Sequence, residues 1–143
     1  MGHEDAGHYA MKHSDKTINP KIAALLEKEA VNRTITCKAL HDIAENLGIK
    51  PKEVGVQADL MELRLKECSL GLFGYEPSGK NLNKDVQITE ALLSEIQKIS
   101  VNNRTSCIQC WAVASKLNIS KRDVGSACDK IGIKIKHCQL GAF

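Results

Sequence analysis

Residues 37–73 of this chain recur at 107–143, in register and without a gap. A slide of seventy residues puts Cys37 on Cys107, Ala44 on Ala114, Leu47 on Leu117 and Ile49 on Ile119. Val54-Gly55 then falls on Val124-Gly125, Asp59 on Asp129 and Lys66 on Lys136, while Cys68, Leu70, Gly71 and Phe73 meet Cys138, Leu140, Gly141 and Phe143. Matches at one fixed offset over such a length mark an internal duplication. A lone unit of about sixty residues buries a marginal core, so two small lobes that pack on each other are expected.

Composition narrows the class. No apolar run approaches the roughly twenty residues of a membrane span. The opening residues are rich in His and acid and lack the apolar segment of a secretion signal. A cytoplasmic protein with no membrane partner is expected. The chain carries six cysteines, which in that setting read as reduced thiols or metal ligands rather than disulfides. Net charge is +3, and its distribution says more than its size. Over 18–75 eight basic side chains balance eight acidic ones, whereas 85–143 holds eight basic against five acidic. The excess lies in the second copy and is mild, far short of a polycation.

Residues 1–17 show no period and read as a flexible arm. His3, His8 and His13 invite a metal reading, but a spacing of five fits no single helix face, so a solvated tail is expected. The first repeat then spans 18–75, a Gly/Pro/Asn-rich linker 76–88, and the second repeat 89–143. Each repeat opens with an amphipathic helix: Asn19-Pro20 starts one containing Ile22, Leu25 and Leu26, and Thr89 caps one containing Leu92, Leu93, Ile96 and Ile99. Thr36 and Ser106 suit the caps of a second helix. Its apolar stripe is Leu40, Ile43, Ala44 and Leu47, or Cys110, Val113, Ala114 and Leu117. That helix stops at Gly48 or Asn118, residues that tolerate the left-handed conformation of a sharp turn. A third helix restarts at once, opened by Pro51 in one copy and by Ser120 with Asp123 in the other. The alternating Leu63–Lys66 and Ile133–Lys136 then read as short strands. A single strand needs a partner. The two copies pair with each other, or each folds back through Leu70–Phe73 as a small wing. Gly55 and Gly125 sit mid-helix, at a cost of roughly 1 kcal/mol against alanine. Either another backbone approaches closely there, from a helix or a nucleic acid, or the helix is short and irregular; helix–helix contact is the expectation.

Three helices, the last two joined by a tight turn and followed by a strand, resemble the helix-turn-helix and winged-helix family. The resemblance rests on Ala44 as the small residue, Gly48 as the turn, and Ile43, Leu47, Ile49 and Val54 at the apolar offsets. The second copy offers Ala114, Asn118, Val113, Leu117, Ile119 and Val124, with Ala127 at a late apolar offset where the first copy has Gln57. In that family the second motif helix enters the major groove of double-stranded DNA. The resemblance therefore implies a contact face of Lys50, Lys52, Val56 and Gln57 in one copy and Ser120, Lys121, Arg122 and Ser126 in the other. Arg122 would read a guanine edge and Gln57 an adenine, with Lys50, Lys52 and Lys121 on phosphates. Arg64, Lys66, Lys134 and Lys136 would add phosphate contacts from the strands. Acidic Glu53, Asp59, Asp123 and Asp129 lie on the same helices and oppose that reading.

Cys107-x-x-Cys110 is the sharpest metal or redox signal, and the repeat supplies its control. Cys110 matches Leu40 and Cys128 matches Ala58, so both read as small apolar core residues. Cys37/Cys107 and Cys68/Cys138 recur, and each repeat could bring its helix-start cysteine to its strand cysteine. Such pairs suit buried thiols, a redox sensor, a disulfide, or half of a metal site completed by Cys110 or His137 beside Cys107 and Cys138. No P-loop, dinucleotide fingerprint or nucleophile elbow occurs. The expected protein is mainly α with short strands: two tandem three-helix helix-turn-helix repeats, each followed by a short strand, packed with pseudo-twofold symmetry. It reads as a non-enzymatic, cofactor-free, DNA-binding transcription regulator. The alternatives are a protein-interaction module, with a protein partner or a second copy, and a thiol- or metal-based sensor.

Overall fold

The computed structural model describes residues 9–13 and 15–142, and these are mainly helical with short strands. They divide into two compact units. One comprises the described residues up to Glu67 together with the segment from Gln139, and the other runs Cys68–Cys138. The loop after each repeat's last strand therefore belongs to the unit built by the other repeat. That assignment moves the boundaries away from 75/76 and 88/89.

In the first unit α1 (Pro20–Glu29) is followed by β1 (Thr34–Thr36), α2 (Cys37–Leu47), α3 (Pro51–Leu60) and β2 (Arg64–Lys66). The second repeats the order as α4 (Glu90–Ile99), β3 (Arg104–Ser106), α5 (Cys107–Leu117), α6 (Lys121–Ile131) and β4 (Lys134–His137). The helix starts follow from side-chain caps. Asn19 accepts from the amides of Lys21 and Ile22. Thr36 accepts from Ala39, Thr89 from Leu92, Ser106 from Gln109 and Ser120 from Asp123. Each such cap is worth about 1 kcal/mol. Helix α2 ends at Gly48 with φ +65° and α5 at Asn118 with φ +55°, the left-handed turns that redirect the chain into the next helix.

The strands pair differently from either expected arrangement. β2 runs parallel to β1 and β4 parallel to β3, each within one repeat, with α2–α3 or α5–α6 as the crossover. A parallel pair requires such a crossover, and a helix pair of this length supplies it. Among the described residues no antiparallel strand returns to pair with β2 or β4, and a bridge between Tyr75 and Gly79 stands apart from them. β1 and β3 escape sequence reading because each is three residues long. The turn before each is tight, with Val31 and Thr34 exchanging backbone bonds of 2.9 Å and Val101 and Arg104 matching them at 2.9 and 3.0 Å. Asn32, Arg33, Asn102 and Asn103 all have positive φ there, as a type I′ turn demands.

The cores are aliphatic. Leu26, Ile35, Leu40 and Val54 are buried in the first unit, and Leu70, Ile96, Cys110, Val124 and Cys128 in the second. On the surface, Lys116 and Lys98 both reach Glu95 Oε1, at 3.0 and 3.2 Å, and Lys116 thereby ties α5 to α4. Their hydrogen bonds hold the Glu95 carboxyl below the usual carboxylate range. A depressed folded value means that this tie is present above the ordinary carboxylate range and is lost as pH falls through the lowered one. At the surface its worth is small.

Both mid-helix glycines are explained by close backbone approach, from a loop rather than a helix. A Cβ on Gly55 would collide with the carbonyl oxygen of Leu140, and one on Gly125 with that of Leu70. The exchanged loops are thus seated directly on α3 and α6. No helix among the described residues is long and apolar enough to cross a membrane.

Candidate nucleic-acid interface

The first turns of α3 and α6 present cations. Lys50 and Lys52 are exposed beside Pro51, and Lys121 and Arg122 are exposed just after Ser120. Ser120 spends its hydroxyl on the cap, accepting from Asp123 N at 3.0 Å. Lys121 Nζ sits 4.2 Å from the centroid of the Trp111 ring. That cation–π contact orients the ammonium while leaving it at the surface. Arg122 donates Nε to the Asn81 carbonyl at 2.7 Å.

Further along, the outer faces of both helices are crossed by the chain itself. A short 3-10 helix, Tyr9–His13, packs on α3 with Tyr9 buried. The amides of Tyr9 and Ala10 donate to the two carboxylate oxygens of Glu62 at 2.9 and 2.8 Å. His13 Nε2 lies 2.7 Å from Asp59 Oδ2, and Asp59 is only 1% exposed. Gln57 accepts from Asn19 N at 2.8 Å and donates to the Thr17 carbonyl at 3.2 Å. Residues 9–13, expected to be part of a loose arm, are therefore a bound strap. His3 and His8 lie outside the described residues.

Residues 80–85 do the same to α6. Asn83 N donates to Ser126 Oγ at 2.7 Å, Asn83 Nδ2 to Asp123 at 3.1 Å, and Lys80 lies 3.6 Å from Asp129. Part of the expected linker is thus a second strap. Two candidate base readers are corrected by this packing. The Gln57 amide is engaged on both sides by the first strap. Ser126 is 3% exposed and bonded to Asn83 and to the Arg122 carbonyl. Val56 is half-buried. The straps also answer the acidic residues of α6, since Asp123 and Asp129 meet Asn83 and Lys80.

The strand cations fare better. Arg64, Lys134 and Lys136 are exposed and Lys66 is half-buried. In the second unit Arg104 stands directly opposite Lys134 on the neighbouring strand, and His137 is exposed at the end of β4. Arg104 was not singled out because β3 was not visible as a strand. The only signal was the match of Val31-Asn32 and Cys37 to Val101-Asn102 and Cys107 at the same offset of seventy, which brackets both strands.

The cysteines do not pair as the repeat suggested. Cys68 joins the core that holds Cys107, Cys110 and Cys128 in the second unit, whereas Cys37 is buried in the first. All six are free thiols, and no three His, Cys, Asp or Glu side chains converge among the described residues. The metal candidates Cys107, Cys110, His137 and Cys138 are therefore not brought together. The neighbouring Cys128 thiol, with burial, pushes the Cys110 thiol up, and burial raises Cys68 as well. Half-buried Cys138 should be the one thiol of the folded protein that Ellman's reagent titrates rapidly, with the buried ones reacting only on unfolding. Rapid reaction of two or more would show that the cores open readily.

No protein-family model matches the chain, and no curated protein and no solved structure matches it.

Proposed function

We propose that this protein is a DNA-binding regulator, not an enzyme, and that its second repeat makes most of the contact. The reading is supported chiefly by Arg104 and Lys134, exposed and directly opposite each other on adjacent strands. Like charges placed so are destabilising in isolation. A polyanion that binds both removes that repulsion. Lys121 and Arg122 extend the cationic surface at the start of α6, and Lys136 does so along β4. Lys50, Lys52, Arg64 and Lys66 supply the weaker counterpart in the first repeat. With Gln57 and Ser126 occupied, the contact is one to phosphates rather than base edges, and low sequence preference follows. In the double variant Lys134→Ala/Lys136→Ala, affinity for mixed-sequence duplex should fall about tenfold, and the salt slope should drop by about one for each cation lost. Unchanged affinity would remove the strand from the interface.

A second reading, a protein-interaction module, draws on one observation. Ile108 is exposed with Ala112 one turn on, where α2 carries the ion pair Lys38–Asp42. It gains if duplex DNA is not bound at any salt concentration.

A further inference from the structure

We propose that the outer face of α3 is a peptide-docking groove, filled in the structure by residues 9–13 and 15–19 of its own chain, and that the same segment of a second copy can take its place. With about 3.6 residues per turn, Val54 and Ala58 face the core while Asp59 and Gln57 stand on either side of Val56 and Leu60. The strap is fastened at both flanks, to Asp59 through His13 and to Gln57 through Thr17 and Asn19, so it spans the face between them. Glu62 receives the two amides of Tyr9 and Ala10 at the far end. Glu62 and Gln57 thus present acceptors and one donor to an incoming backbone, and Asp59 meets an imidazole. The face suits a peptide with an aromatic anchor and an imidazole four residues later, and its acidity suits no phosphate.

Comparison with the second strap shows why the first is exchangeable. There Val86 is buried and Ile88 packs against the core, and Asn81 N is pinned to the Gly71 carbonyl at 2.9 Å. At the matching places of the first strap, Lys16 and Ile18 are exposed. Only Tyr9 is buried among the described residues of that strap, with Ala10 and His13 half-buried, and its hydrogen bonds to Glu62, Gln57 and Asp59 are polar contacts that water can replace. Segments with few buried apolar contacts occupy the low end of the local stability scale. The segment known to fit this face is the strap itself, which makes a second copy the occupant. Exchanging an identical element between copies creates no new contact chemistry and is a low-cost route to association.

The test uses two full-length variants that complement each other. One carries Tyr9→Ala/His13→Ala, with a weakened strap and an intact face. The other carries Asp59→Asn/Glu62→Gln, with an intact strap and a weakened face. Mixed at tens of micromolar, they should form a 1:1 complex by sedimentation while each alone stays monomeric. A labelled peptide of residues 9–19 should bind the first variant at least about tenfold more tightly than the wild type, whose own strap competes at high effective concentration. It should bind the second variant no better than the wild type. The idea is overturned if the peptide binds neither variant better than wild type, or if mixing yields no complex. Peptide binding without a mixed complex rejects the second copy as occupant. Should the strap variant fail to fold, His13→Ala alone, which leaves Tyr9 in place, must still gain peptide affinity over wild type.

Discussion

Gly125→Ala should destabilise the second unit by about 3 kcal/mol or more, and Gly55→Ala should do the same to the first. The new methyl group would meet a backbone carbonyl, that of Leu70 or Leu140, and not a side chain that can swing aside. Relief requires the exchanged loop to lift from the helix, which exposes Leu70 or Leu140, each 1% exposed in the native state. On an open helix the same change would gain about 1 kcal/mol of helix propensity. The sign of the effect therefore decides whether the loop is seated on the helix. Gly48→Ala is the reference: nothing lies near its added Cβ, and only the left-handed φ of +65° penalises it, by about 1–2 kcal/mol. Urea unfolding of the three variants checks this. A Gly125→Ala midpoint at or above that of wild type would contradict the packing.

Leu140→Ala should cost about 2–5 kcal/mol, and the loss should appear in the unit distant in sequence. Leu140 follows β4 in the chain, yet its segment belongs to the first unit and lies against Gly55 of α3. Hydrogen exchange of the α3 amides should speed up while that of α6 changes little. Leu70→Ala should produce the reverse pattern. Loss of protection in α6 on truncating Leu140 would mean that each loop stays with its own repeat.

Much of this architecture was legible in the residues. The repeat, the helix starts at Asn19, Thr36, Thr89, Ser106 and Ser120, and the turns at Gly48 and Asn118 are local signals, each readable from a few neighbouring side chains. Gly55 and Gly125 announced close backbone contact without saying what approaches. β2 and β4 showed in their alternation, but β1, β3 and the parallel pairing were missed, because β1 and β3 are three residues long and their partners lie thirty residues away. The straps were missed for a related reason. Their ties join positions 38 to 53 residues apart and are side chain to backbone or side chain to side chain, which leaves no periodic trace. A faint one existed: the offset that aligns the repeats also places Asp85 on Asp15 and Ile88 on Ile18, so the arm and the linker are equivalent segments. Of the expected contact residues, the exposed cations could be chosen from charge alone. Gln57 and Ser126 could not be judged without knowing that chain crosses above them.

The most direct test of the functional account is anisotropy of a fluorescent mixed-sequence duplex titrated with full-length protein at several salt concentrations. Contact by five cations, Arg104, Lys121, Arg122, Lys134 and Lys136, predicts that log affinity falls against log salt with a slope of about −3 to −5, since each neutralised phosphate contributes about −0.9. No binding at the lowest salt, or binding indifferent to salt, would contradict DNA recognition and leave protein partners as the reading to pursue.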